Sequence, residues 1–191
     1  QQIEKTRDSR VITYLTSDLM KSYSETAVQS AANLYIQTTT KRENIKYDLV
    51  DRMTGYMDTI RSSTAQDIVT LNIMTGISYN AVGQMISYME THVEYDLGMT
   101  KLYTVTATIK DSITYNSLGQ LRSYHSKVES MVSPDIITEE NVLFEYDSLD
   151  RVYRQKTTTN EYNKATTTAL EKSLLDKTTT VERIISADNY N

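Results

Sequence analysis

The chain has 191 residues, with 20 Lys and Arg against 25 Asp and Glu and a net charge of −5, its cations scattered among acids. That pattern excludes the basic stripe that nucleic acid requires. The absence of cysteine excludes disulfides and thiolate metal centres, and without a run of 18 apolar residues there is no membrane-spanning segment of helical type.

The hydrophobic fraction of 39% counts 15 tyrosines, beside one phenylalanine and no tryptophan. A thick apolar core is therefore not expected. Threonine occurs in runs at 38–40, 157–159, 166–168 and 178–180, and Thr with Tyr suits pleated, half-exposed strands. The sequence contains no linker, so a single domain over 1–191 is expected.

Along the chain a tyrosine heads nearly the same phrase five times. Ile12-Thr13-Tyr14 opens the first copy, Ile45-Lys46-Tyr47 the second, Ile77-Ser78-Tyr79 the third, Ile113-Thr114-Tyr115 the fourth and Phe144-Glu145-Tyr146 the fifth. The lead tyrosines lie 33, 32, 36 and 31 residues apart, a period at which supersecondary units stack. The copies span about 12–44, 45–76, 77–112, 113–143 and 144–177, leaving 1–11 and 178–191 as terminal segments. A second tyrosine follows nine residues after the first at Tyr23, Tyr56, Tyr88 and Tyr124; the last copy has Gln155 there.

Each phrase reads as a β-hairpin. In the third copy Asn80 starts and Gly83 ends a four-residue turn; Asn bonds its own backbone and Gly takes the left-handed conformation. Asp48 to Asp51, Asn116 to Gly119 and Asp147 to Asp150 keep that chemistry, whereas Leu15 to Asp18 lacks the leading Asn or Asp. Apolar residues two before the tyrosine (Ile12, Ile45, Ile77, Ile113, Phe144) and six after it (Met20, Met53, Met85, Leu121, Val152) mark the buried face. The two sets share a face only if a bulge at the turn shifts the pairing by one residue, which leaves the register open.

Between the hairpins, 64–76, 99–112 and 135–143 alternate or are β-branched. About two strands of about 12 residues, each about 40 Å long, fit in a period. The fold expected is all-β, an antiparallel meander of about ten long strands. Residues 25–33 and 165–176 have helical propensity and are read as strand or irregular; Pro134 is read as loop.

The phrases Tyr79-Asn80-Ala81-Val82-Gly83-Gln84-Met85, Tyr115-Asn116-Ser117-Leu118-Gly119-Gln120-Leu121 and Tyr146-Asp147-Ser148-Leu149-Asp150-Arg151-Val152 resemble the YD-repeat of Rhs and teneurin-type proteins. The resemblance implies β-hairpins that wind into an extracellular shell, which in some members encloses a toxic cargo. The structural motif it marks is Tyr14, Tyr47, Tyr79, Asn80, Gly83, Tyr115, Asn116, Gly119, Tyr146 and Asp147.

Sites of chemistry are sparse. His92 with Glu90 and Glu94 on one strand face is the nearest approach to a metal set, and a solvated polar stripe on an exposed face is the reading preferred over it. Asp135, Glu139 and Glu140 match no standard calcium loop. Two isolated histidines and no phosphate-cradling loop point away from enzyme activity, and no metal or cofactor is expected. The threonine runs do not make a one-sided ice-binding array, because consecutive strand residues face opposite ways. The tyrosines are expected to stack as cross-strand ladders, each pair stabilising by about 0.2–1 kcal/mol; a sugar-binding strip is the other reading.

A start at Gln1-Gln2 without a signal-peptide pattern fits a processed segment, so an extracellular or cell-surface location is expected. The function expected is structural: repeats that pair through sheet edges into a homopolymeric fibre or sheath, with the terminal segments as strand donors. The alternative is an adhesin, or a fragment of a shell, that contacts glycan or encloses a toxin.

Overall fold

The computed structural model describes residues 4–31, 34–164 and 177–184. The described residues are strands and turns without helix: β1 (Glu4–Tyr14), β2 (Met20–Ala31), β3 (Leu34–Tyr47), β4 (Met53–Ser62), β5 (Ala65–Tyr79), β6 (Met85–Asp96), β7 (Tyr103–Tyr115), β8 (Leu121–Ser130), β9 (Ser133–Tyr146), β10 (Val152–Asn163) and β11 (Lys177–Ile184). They form one sheet in sequence order, an antiparallel meander with one strand more than the ten expected. In each repeat an incoming strand ends at the lead tyrosine and a return strand begins six residues later.

Backbone contacts divide the chain into two compact units, Gln1–Ile77 with Glu90–Thr106, and Ser78–Met89 with Ala107–Asn191. Within each unit the strands that pack together are consecutive ones.

All five hairpin turns share one main-chain geometry. The fourth turn residue donates its N–H to the carbonyl of the first: Asp18 to Leu15, Asp51 to Asp48, Gly83 to Asn80, Gly119 to Asn116 and Asp150 to Asp147, at 3.0–3.2 Å. That fourth residue is left-handed throughout, with φ of 60° at Asp18, 64° at Asp51, 85° at Gly83, 82° at Gly119 and 62° at Asp150. Even the first copy, without an Asn or Asp at its head, closes this way, because the left-handed residue and the hydrogen bond it allows define the turn.

The bulge that follows settles the register. Thr13 pairs with Ser22 and Tyr14 with Met20, so Ile12 lies opposite Tyr23. Likewise Glu145 pairs with Arg154 and Tyr146 with Val152, placing Phe144 opposite Gln155. One extra residue on the return strand, Lys21 or Tyr153, absorbs the shift.

A second bulge was not legible in the sequence. Asn44, Gly76 and Ser112 have φ of 56°, 62° and 52°, each immediately before the isoleucine of its copy. At the first of these, Glu43 pairs with Met57 and Lys46 with Gly55, so two residues face Tyr56. Copies one and five lack it.

Few side chains leave water. Val69, Ile77, Ile113, Ile137 and Val142 are the buried apolar residues among those described. Ile77 and Ile113 belong to the expected face; Met20, Met53, Met85, Leu121 and Val152 are half-buried.

Two sequence readings change. The stretch 99–112 becomes strand only from Tyr103, because Asp96 folds residues 97–102 into a loop, accepting from the N–H groups of Thr100, Lys101 and Leu102 at 3.0, 3.0 and 2.8 Å. Those bonds hold its carboxyl far below the usual range. Pro134 is the second residue of β9 rather than loop, a strand start being a place that tolerates its missing N–H. Residues 25–31 are strand, within β2; 165–176 lie outside the described residues.

Candidate functional site

Among the described residues, polar bonds between and within hairpins recur from copy to copy. They begin in the turns. The side-chain oxygen of the first turn residue accepts from main-chain N–H groups two and four residues on: Asp48 from Val50 and Arg52 at 3.0 and 2.9 Å, Asn80 from Val82 and Gln84 at 3.1 and 2.9 Å, Asn116 from Leu118 and Gln120 at 3.0 and 2.9 Å, Asp147 from Leu149 and Arg151 at 2.9 Å each. The Arg52 and Arg151 N–H groups are the main cause of the lowered carboxyl pKa at Asp48 and Asp147.

A partner four residues on closes each turn, in matched chemistry. Where the turn opens with Asp, Arg donates to it: Arg52 Nε to Asp48 at 2.8 Å and Arg151 Nε to Asp147 at 2.9 Å. Where it opens with Asn, Gln accepts: Asn80 Nδ2 to Gln84 Oε1 at 2.8 Å and Asn116 Nδ2 to Gln120 Oε1 at 2.6 Å. The glutamine then reaches onward. Gln84 Nε2 donates to the Gly119 carbonyl at 3.5 Å and Gln120 Nε2 to that of Asp150 at 3.1 Å, tying turn to turn. The sequence phrases contain Gln84, Gln120 and Arg151 without a role assigned to them, although the Asp-with-Arg and Asn-with-Gln matching was a visible signal.

The lead tyrosines carry the second tie. Tyr47 OH donates to the Met20 carbonyl at 2.7 Å, Tyr115 OH to that of Met85 at 2.7 Å and Tyr146 OH to that of Leu121 at 2.6 Å. Each acceptor is the residue six after the preceding lead tyrosine, so every such bond joins a copy to the one before it. Desolvation raises the Tyr47 pKa. Tyr14 heads the first copy, has no preceding copy in this chain, and is 59% exposed; Tyr79 is half-buried.

Within the hairpins, the residue before the tyrosine faces one eight after it. Hydroxyls pair there in three copies, Thr13 with Ser22 at 2.7 Å, Ser78 with Ser87 at 2.6 Å and Thr114 with Ser123 at 2.7 Å. In the fifth copy Glu145 and Arg154 form an ion pair at 3.0 Å. In the second, Lys46 faces Gly55.

The second tyrosines do not stack on one another as expected. Cations from the next incoming strand stand between them. In the first unit Arg42 lies 3.6 Å from the Tyr56 ring centre and 5.3 Å from that of Tyr23, with Arg10 at 5.8 Å from Tyr23. In the second, Lys110 lies 4.1 Å from Tyr124 and 5.8 Å from Tyr88. A ring quadrupole attracts a cation over its face more strongly than it attracts a second ring in parallel. Arg42 is also held bidentately by Asp58, at 2.7 and 2.6 Å, a bond that raises its pKa; Asp58 is 8% exposed.

The residues weighed for catalysis and metals are engaged separately. His92 Nδ1 bonds Asn72 Oδ1 at 2.7 Å and His125 Nδ1 bonds Asp111 Oδ1 at 3.0 Å. The hydroxyl of Ser123, two residues from His125, is taken by Thr114. Tyr162 OH donates to Glu139 at 2.6 Å, while Glu140, its neighbour on the strand, faces the other way. Among the described residues no three His, Asp or Glu side chains converge on a common point, and no helix is long and apolar enough to cross a membrane. The chain matches no protein-family model, no curated protein and no solved structure.

Proposed function

We propose that this chain is a non-enzymatic structural module of the extracellular space or cell surface, whose hairpin repeats assemble through sheet edges into a fibre or sheath. The observation that carries this reading is the likeness of the ties: a tyrosine hydroxyl on the previous copy's carbonyl at Tyr47, Tyr115 and Tyr146, and a glutamine on the next copy's turn at Gln84 and Gln120. Such an array grows by nearest-neighbour contacts and specifies no length of its own.

Of the terminal segments expected as donors, residues 4–11 pair within the chain as part of β1 on β2 and residues 178–184 as part of β11 on β10, the rest lying outside the described residues. Edge addition, with main-chain hydrogen bonds supplying affinity, is therefore the mechanism rather than strand exchange. The adhesin reading wanted a free aromatic strip. Tyr23, Tyr56, Tyr88 and Tyr124 are half-buried, with cations over their rings, so glycan stacking draws no support from them.

Negative-stain electron microscopy across a concentration series tests the proposal. Uniform fibres that lengthen with concentration are expected. A monodisperse particle at every concentration would overturn it in favour of a shell segment or adhesin.

A further inference from the structure

The third residue of the hairpin turn is apolar in copies two to five, as Val50, Val82, Leu118 and Leu149, and is Ser17 in the first. Nothing in the turn asks for this. A capping oxygen on its first residue and a left-handed fourth residue build the turn, and polar residues suit the positions between them. Yet Val50, Val82, Leu118 and Leu149 face solvent at 65, 80, 68 and 67% exposure. In the second unit three of them form a row. Val82, Leu118 and Leu149 occupy consecutive turns, two strands or about 9.5 Å apart. The Gln84 and Gln120 bonds, each to a carbonyl of the next turn, keep those tips from fanning apart as the sheet twists.

We infer that this row pairs with the same row of a second copy, turn end to turn end, about a two-fold axis normal to the sheet. Spacing is the first feature that selects this occupant: a second copy presents apolar tips at the identical interval, so three side chains meet three. Charge is the second. Residues 80–84 and 116–120, the third and fourth turns with their closing glutamines, carry no charged side chain. In the fifth turn the Asp147 carboxylate is paired with Arg151 at 2.8 Å, and that of Asp150 has no partner among the described residues. The row thus has a neutral end and an acidic end. Rotation about the sheet normal sets Leu118 on its own counterpart and Val82 on Leu149, so Asp150 meets the uncharged third turn. The parallel arrangement sets two Asp150 carboxylates against each other, a like-charge contact that disfavours it. The two-fold contact closes on itself. Three tips a copy bury little area, so the contact is weak between single chains and strengthens by repetition where copies are joined into an array. It does not depend on edge assembly.

The chain has no cysteine, so single substitutions at the exposed tips report the contact by disulfide formation under mild oxidation. A disulfide needs Cα atoms within about 7 Å, which two copies satisfy only where the substituted positions meet. Leu118→Cys is expected to form a covalent dimer about tenfold or more faster than Val132→Cys, a control on the turn between β8 and β9 that is 72% exposed. Val82→Cys and Leu149→Cys are expected to link to each other when mixed and not to themselves. Edge pairing cannot imitate this pattern, because Leu118 lies on the turn between β7 and β8, three strands in from β11.

Equal rates for Leu118→Cys and Val132→Cys would overturn the inference. Val82→Cys or Leu149→Cys linking chiefly to itself would do the same by showing the parallel pair, and a preference of Leu118→Cys for Val132→Cys would show head-to-tail contact instead. Co-sedimentation of the native chain with phosphatidylcholine vesicles that Leu118→Asp abolishes, without cross-linking, would assign the row to a lipid surface and overturn it as well. Cross-links without fibres would keep this contact and remove edge assembly; fibres without cross-links would do the reverse.

Discussion

Arg42 joins three partners in the first unit: it spans two tyrosine rings and saturates a buried carboxylate. Replacing one member of such a pair leaves the other desolvated and alone, which outweighs what the intact pair contributes. Arg42→Met is therefore expected to destabilise by roughly 2–3 kcal/mol in urea denaturation. Lys110→Met, which leaves no buried acid behind, is expected to lose only about 0.5–1 kcal/mol, the worth of a partly solvated cation over a ring.

A second residue-scale prediction concerns acid. Lys127 at 2.8 Å and Lys164 hold the Glu129 carboxyl down to about 2, from an ordinary 4.5. A lowered folded-state pKa stabilises fully above the unfolded value, and that share disappears as pH falls through the folded one. The melting-temperature gap between the native chain and Glu129→Gln should thus be constant above pH about 5 and close between about 4.5 and 2. The group is solvent-accessible, so the gap should also shrink in salt.

At the scale of the element, the copies are alike in plan and differ where a neighbour intrudes. Three copies have serine eight residues after the lead tyrosine, but the second has Gly55, where an added Cβ would stand 2.9 Å from the Met74 carbonyl oxygen. Gly55→Ser, which restores the majority residue, is expected to destabilise by roughly 1–3 kcal/mol through this crowding. The opposite holds at the fifth turn. Asp150 is left-handed at φ 62°, a conformation glycine adopts freely in the third and fourth turns. Asp150→Gly is expected to stabilise by roughly 0.5–1 kcal/mol, keeping the carbonyl that Gln120 uses. Thermal denaturation of both variants against the native chain checks the pair of signs.

Across the whole molecule, stability is distributed along the array rather than gathered in one core, since five described apolar side chains are buried and the ties are local to each junction. Repeat arrays of this kind behave as a sum of unit and nearest-neighbour terms. Gly55→Ser is thus expected to raise amide exchange mainly at β3 to β5, leaving β8 to β10 protected as in the native chain. Uniform loss of protection on hydrogen-exchange mass spectrometry would show a single cooperative body instead.

What the sequence determined by itself was everything that repeats with local cause: the five hairpins, the Asn, Asp or Gly at turn positions that demand a capping oxygen or a left-handed backbone, and the meander that short connections impose. The turn bulge was foreseeable, but its register was not, because alternate pairings bury alternate faces and only the assembled sheet chooses between them. The second bulge falls at Asn44 and Gly76, residues that tolerate a left-handed backbone, but also at Ser112, which carries no such signal, so the sequence did not mark it as a recurring feature. The cations between the tyrosines belong to neighbouring strands 14 to 22 residues away. Their meeting depends on register, so the tertiary structure alone decided it, along with the hydroxyls of Tyr47, Tyr115 and Tyr146 finding a carbonyl of the copy before.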